Sequence, residues 1–463
     1  MRSLLTTLSV MFFVLAIAMT PVAYAFSTFL ADAVAKYPVI AGTDLDNCAL
    51  CHVSAANLAL NPYGTDFKAN TFNFDAIEGM DSDGDGFTNL VEIMALTFPG
   101  DASDFPSGGG GGGRIASRAK VADVVDASDI AVAADTDRKE GLAAWMDLNG
   151  DVADTRADAA QVRSQVLKSN GSPTGKVADI ELINGDTGLA ADYGNKRFMV
   201  AWNNDDGGVD GQPLKSKTGK KVKKPLQLTD ASTNPALAWD AAAKLFTLAT
   251  DSEDAVEVNR VDTKGKVKSF TRASLLTDID HVFGFAAGAS TDGQVLLGGE
   301  PSGTQQRPVG VLLVDGDMSS MSAGYYGFSS KTQDVAAAFG AAELGVVAWS
   351  LGGKLQVASL NSDGSLNGKA KKVKKSKAEK VGVAAQADGT FLVVWTDPKT
   401  KKLMAIDVEA NGKVTGKAFE LQDSGEVVDA DALGVATVGS QVLVVYATSG
   451  SSAALRSVVV ATK

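Results

Sequence analysis

A small α-helical domain followed by an all-β propeller, seven-bladed by count, is the fold class the sequence predicts. Three observations carry it. An apolar, strand-like segment recurs about every 50 residues over the C-terminal three quarters of the chain. Six consecutive glycines, Gly108–Gly113, separate that region from what precedes it. Ahead of the glycines lies a short stretch in which cofactor- and metal-binding residue types cluster. The 463-residue chain is 45% hydrophobic and 21% charged, ample to bury a core and long enough for more than one domain.

The chain opens on a processing signal over residues 1–25. Met1-Arg2 is a positive n-region, Leu4–Ala18 an apolar h-region, and Ala23-Tyr24-Ala25 a small-x-small cleavage site. The alternative, a membrane anchor, meets a stretch short for a spanning helix with no basic flank after it. The expectation is an exported protein, periplasmic or extracellular, with no membrane span after cleavage. A formal net charge of −12 argues against general nucleic-acid binding. Two lysine-rich runs, Lys215–Lys224 and Lys369–Lys380, stand against that background. They read as solvated strand edges and hairpins, or as a site for an anionic surface or polymer.

Residues 26–104 form the first predicted domain. Its centre is Cys48-Ala-Leu-Cys51-His52, which holds both cysteines of the chain. Two thiols can reach the two vinyl groups of one porphyrin while the adjacent imidazole binds iron from one face. Covalent haem at Cys48 and Cys51, with His52 as axial ligand, is the expectation. A redox disulfide lacks a surrounding βαβ pattern, and a zinc site lacks further ligands, since His281 is the other histidine of the chain. With no second histidine in this domain, the distal ligand falls to Met80, or to Met94 on the following helix among Leu90, Ile93 and Leu96, where core packing also explains it.

Asp81-Ser-Asp83-Gly-Asp85-Gly86-Phe87-Thr-Asn89-Leu-Val-Glu92 matches the D-x-D-x-D-G-x5-E calcium loop. Asp81, Asp83 and Asp85 bring carboxylates to a hard cation, and Gly86 permits the turn. Phe87 offers its carbonyl, Asn89 acts directly or through water, and Glu92 closes the site. The expected role is structural. A second acidic run, Asp147–Asp158, imitates the loop with Val152 at the turn position, and reads more simply as a polar hairpin loop.

With these motifs in place, Ser27 to about Ser103 resembles small exported bacterial c-type cytochrome domains with an EF-hand-like loop. In these, C-x-x-C-H is followed by an element like Asn61-Pro62-Tyr63-Gly64 and then by an Asp-rich loop. The resemblance covers roughly a sixth of the chain and implies a cytochrome c-like helical fold and electron transfer with a redox partner protein.

Residues 105–114 are the linker, and 115–463 the propeller. The recurring segments are Leu142–Trp145, Phe198–Trp202, Leu245–Thr250, Val295–Gly299, Leu344–Trp349, Phe391–Trp395 and Val442–Tyr446, starting 47 to 56 residues apart. Small-residue strands such as Ile130–Ala134 and Val335–Ala338 precede several of them, and Gly-containing turns follow most. Four short strands per unit indicate propeller blades. The last unit has three strands before Lys463, so Ile115–Val125 is expected to supply the fourth and close the ring. The count is seven, with six or eight as the neighbouring possibilities. The recurring Trp, replaced by Tyr446 in the last unit, reads as packing between blades, or as an aromatic ring lining a surface. Tyr325, Tyr326 and Phe328 are open to both readings.

No catalytic constellation is evident in the propeller. His281 is its single histidine, which leaves neither a multi-His metal centre nor a triad. The leading expectation is an electron carrier with the propeller as docking module. The alternatives are a propeller-based oxidoreductase passing electrons to its own haem, and a non-redox scaffold or adhesion protein.

Overall fold

The structure, a computed structural model, divides into two units, Met1–Ser107 and Gly108–Lys463. It describes residues 27–462 except 55–56, 85–87, 103, 105–113, 149–158, 185–187, 231–232, 253–254, 274–280, 290–294, 303–307, 315–320, 329–331, 341–343, 362–366 and 451–452. Within 251–256 and 270–333 it describes backbone alone. The leader, the glycine run, Asp85, Gly86, Phe87 and most of the second acidic run lie outside the described residues. Among the described residues no helix is long and apolar enough to cross a membrane.

The first unit is a set of short helices: α1 (Ser27–Lys36), α2 (Pro62–Ala69), α3 (Phe74–Ile77) and α4 (Asn89–Ala95), with 3-10 turns at Pro38–Ile40 and Cys48–Leu50. Helices this short do not persist alone, so side-chain packing and caps must hold them. Ile40, Leu45, Leu50, Tyr63, Ile77 and Ile93 form the fully buried centre. Phe67 stacks on Phe74 at 4.2 Å between ring centroids, and Tyr37 meets Phe74 edge-on at 5.8 Å. Asn61 caps α2 and Asn73 caps α3 through their side-chain oxygens. Pro62 occupies the first helical position of α2, where its missing N–H costs nothing.

In the second unit the described residues form seven four-stranded antiparallel sheets. Six are consecutive in sequence: blades 1 (127–184), 2 (189–229), 3 (233–273), 4 (281–328), 5 (332–372) and 6 (381–420). Blade 7 takes three strands from 428–461 and its outermost strand, Ile115–Asp123, from the start of the unit, paired with Ala454–Ala461. Each innermost strand contacts the innermost strand of the next blade, and the last contacts the first, so the ring closes. This is a β-propeller with the seam in blade 7.

The second strand of each blade explains the apolar runs. Phe391–Thr396 and Gly345–Ser350 are buried at every position because both faces pack on neighbouring blades, and alternation is lost. Trp145, Trp202, Trp349 and Trp395 sit at equivalent places, nearly or fully buried. They are packing residues. Among the described residues each indole N–H is without a hydrogen-bond partner, at a cost of about 1–3 kcal/mol relative to a paired donor. The turn into the outermost strand lies against the preceding blade. A side chain at Gly265, whose φ is +76°, would come within 2.8 Å of Leu226 of blade 2.

Arg114 fastens the seam. Its Nε donates to the Ala461 carbonyl of blade 7 at 2.7 Å, while its terminal nitrogens pair with Asp407 and Gln386 of blade 6. Arg114 is 9% exposed. A charge this buried persists because it is paired and each of its three nitrogens is hydrogen-bonded.

Candidate functional site

The Cys-His segment is a single tight turn. The Asn47 side chain accepts from Ala49 N at 2.7 Å and starts the 3-10 turn. Cys51 N and His52 N both donate to the Cys48 carbonyl, at 3.3 and 3.1 Å. Both thiols are free, Cys48 exposed and Cys51 half-buried. Burial, then the neighbouring Cys48, pushes the Cys51 thiol up to about 11. Redox-active C-x-x-C pairs lower a thiol pKa instead. His52 Nδ1 lies 2.8 Å from the Leu58 carbonyl oxygen. A carbonyl only accepts, so Nδ1 carries the hydrogen and Nε2 is the nitrogen with the lone pair. This is the outer-shell arrangement that orients a metal-ligating histidine.

Asn61 locks this turn to α2. Its Nδ2 donates to the carbonyls of Ala49, Leu50 and His52 at 3.1 to 3.3 Å, while its Oδ1 accepts from Gly64 N at 2.8 Å. Gly64 is required by close approach: a Cβ there would lie 2.0 Å from the Cys51 carbonyl oxygen. Asn61-Pro62-Tyr63-Gly64 is therefore one device: a clamp, a helix start, a core ring and a contact gap. The sequence marks the element, but its clamping role depends on contacts made nine to twelve residues upstream.

The two methionines part company. Met80 packs against the core cluster that includes Cys51, and its Sδ accepts from Asn70 Nδ2 at 3.8 Å. Met94 is 58% exposed, which corrects the expectation that it packs in the core. It sits on the solvent face of α4, whereas Ile93 is the buried residue of that turn. Tyr63 is fully buried, and its hydroxyl has no hydrogen-bond partner among the described residues. A buried orphan donor near the thiols fits a bound group that supplies an acceptor.

The acidic loop is described in part. Asp81 Oδ1 accepts from Gly84 N at 2.9 Å, closing a turn in which Gly84 has φ +79°. Asn89 begins α4, and Glu92 lies fully buried in the first turn of that helix. Asn89 Nδ2 donates to Ile77 O at 2.7 Å and to Ser82 Oγ at 2.9 Å. Its Oδ1 is buried with no hydrogen-bond partner among the described residues, which suits a cation ligand. Among the described residues, Asp, Glu, His and Cys do not gather into a group of three able to hold a metal.

The propeller surrounds a central cavity, open to solvent and of about 890 Å³, that sequence reasoning missed. Its walls are the small residues of the innermost strands, and its polar groups include Asp129, Asp192, Asp334, Lys380 and Asp431. Asp129 accepts from Gly188 N at 2.8 Å and Asp334 from Val381 N at 2.7 Å, each tying its blade to the next. Lys380 reaches Asp129 at 3.7 Å. Asp334 is the largest cause holding the Lys380 ammonium above its usual range, while burial raises Asp334 itself. Desolvation raises Asp192 to about 6, although two backbone N–H groups favour its ionised form. The legible signal was a polar residue repeatedly flanking the small-residue strands. His281 opens the innermost strand of blade 4, with its side chain outside the description.

No family model matches the chain, and no curated protein matches it. Solved structures with a similar fold include the WD40 domain of Toxoplasma gondii coronin, at 13% identity and a TM-score of 0.46, covering 75% of this chain and 87% of that one. Kuenenia stuttgartiensis hydrazine synthase matches at 10% identity and 0.46, covering 69% and 93%. Aleuria aurantia lectin, in complex with Fucalpha1-6GlcNAc, matches at 14% and 0.42, covering 64% and 97%. Similarity of this degree carries no argument about function. The seven sheets themselves define the class: a multi-bladed β-propeller preceded by a small helical unit.

Proposed function

We propose that the chain is an exported propeller-based interaction protein carrying one covalent haem on its small unit, and that it transfers electrons to or from a redox partner protein. The observation that carries the haem reading is the bond from His52 Nδ1 to the Leu58 carbonyl. It presets Nε2 as the ligating nitrogen beside two thiols on the same turn. Bound haem supplies one-electron chemistry. The chain's own residues would do the rest. Cys48 and Cys51 would hold the haem covalently through their sulfurs, and His52 Nε2 would face its iron. Leu58 and Asn61 hold His52 in place, and Met80, whose Sδ accepts from Asn70, would offer its thioether as the distal ligand. Calcium at Asp81, Asp83, Asp85, Phe87, Asn89 and Glu92 would pin α4 against α3.

The propeller supports the second reading, a non-redox scaffold, because its seven repeated sheets are built without the Cys-His turn. Oxidised and reduced absorption spectra of full-length protein, exported from a host that matures c-type haem, separate the two. A c-type spectrum that survives acid–acetone extraction supports the electron carrier. Colourless protein, beside a control cytochrome that matures normally, leaves the scaffold. Calcium removal by chelation should lower the unfolding temperature of the small unit and leave the tryptophan-monitored transition of the propeller in place.

A further inference from the structure

We propose that the outer rim of blades 2 and 3 binds an anionic polysaccharide. Chain direction alternates strand by strand, so the turn from third to fourth strand falls on the same face in every blade. Four of these turns carry a Gly-Lys pair with the glycine at positive φ: Gly219-Lys220, Gly265-Lys266, Gly368-Lys369 and Gly412-Lys413. The glycine folds the turn, and the lysine after it is exposed at each position.

On blades 2 and 3 this pattern becomes a continuous basic strip. Residues 215–224 hold Lys215, Lys217, Lys220, Lys221, Lys223 and Lys224, all exposed, with no acidic residue among them. The hairpin is ordered by its backbone: Lys215 N donates to Lys220 O at 2.9 Å and Val222 N to Pro213 O at 2.9 Å. The next turn, bearing Lys264 and Lys266, seats its Gly265 against Pro213 and Leu226, which joins the two blades' lysines. Among the described residues the ion pair of this strip is Lys268 with Asp262, at 3.1 Å. A cluster so basic in a chain of net charge −12 is a local feature and not a reflection of composition.

The geometry selects the partner. Lys217 to Lys224 lie in the turn and bends between the third and fourth strands of blade 2, so the charges are carried by an irregular edge and not by a flat face. A flexible polyanion can wrap such an edge, whereas a flat bilayer meets one side of it. The strip is all lysine, without arginine or interleaved aromatics. Lysine is a hydrated point charge suited to dispersed carboxylates, while nucleic-acid sites favour the arginine fork and stacking rings. Edge protection also explains lysine on an outer strand, and the experiment separates the two.

Full-length protein is titrated with soluble polygalacturonate, and in parallel with neutral dextran, duplex DNA and phosphatidylglycerol vesicles. Binding to polygalacturonate and not dextran is expected, weakening about tenfold or more as salt rises from about 50 to about 200 mM, as screening requires. The variant Lys217→Glu/Lys220→Glu/Lys223→Glu should bind about tenfold more weakly or not at all, by the loss and reversal of three charges. The Lys→Gln triple should fall between, and both variants should keep the wild-type circular dichroism melt. Polygalacturonate binding that is absent at low salt, or unchanged in a folded variant, overturns the proposal. So does tighter binding to DNA or vesicles, or self-association of the variants without any polysaccharide binding by the wild type.

Discussion

The small unit and the propeller solve stability in opposite ways. In the small unit a handful of residues each does a job that nothing else duplicates. Asn61 ties three carbonyls of the Cys-His turn, and Gly64 makes room for the Cys51 carbonyl. In the propeller the same local solution recurs: a buried second strand, a buried tryptophan, a turn glycine on the preceding blade. Repetition spreads the work, so a single blade position matters about as much as its equivalents. The seam in blade 7 is the exception, because Arg114 joins strands from both ends of the unit.

Substitutions can break that contrast. Trp349→Ala should destabilise the propeller by about 4 kcal/mol, and Trp145→Ala, Trp202→Ala and Trp395→Ala should cost similar amounts. All five tryptophans lie in the propeller, so Trp239 and the remaining three report each transition in denaturant titrations. A tenfold spread in effect among blades would contradict shared load. Arg114→Ala should cost about 3 kcal/mol, because Asp407 is left buried without its guanidinium partner. An unchanged midpoint would mean the seam is held by its strands alone.

Gly64→Ala should cost the small unit about 3 kcal/mol by overpacking against Cys51. Haem absorbance or tyrosine emission would report it, while tryptophan emission stays unchanged. Asp192 tests the cavity. Its folded-state pKa, near 6, lies above its ordinary value, so the folded protein holds this proton more tightly. Its contribution is present below about pH 4 and is lost as pH rises to about 6, a fall of about 3 kcal/mol. Asp192→Asn should flatten that part of the stability profile. The smallest effect belongs to Trp349→Phe, at under about 1 kcal/mol, because the ring stays buried and the removed N–H was unpaired.

Periodicity made the propeller legible. A repeat near 50 residues with strand-like segments forecast the blades, and the three-stranded last unit forecast the pairing of Ile115–Asp123 with Ala454–Ala461. Local spacing placed Cys48, Cys51 and His52 on one turn, and placed Glu92 at the start of a helix. Long-range pairing stayed hidden. Arg114 meets Asp407 and Gln386 nearly 300 residues away, and Lys380 meets Asp129 across the cavity. Neither partner leaves a mark on the other's neighbourhood in sequence. Met94 was misread because apolar neighbours on a short helix do not say which side of it is covered.

The central claim is that the His52 turn is built for covalent haem, and the mass of one proteolytic peptide tests it most directly. The peptide carrying Cys48, Cys51 and His52, cut from protein exported by a haem-maturing host, should be heavier by one haem and absorb visible light. The same peptide at its unmodified mass, or lighter by two hydrogens as a Cys48–Cys51 disulfide, would contradict the account and leave a propeller without a redox centre.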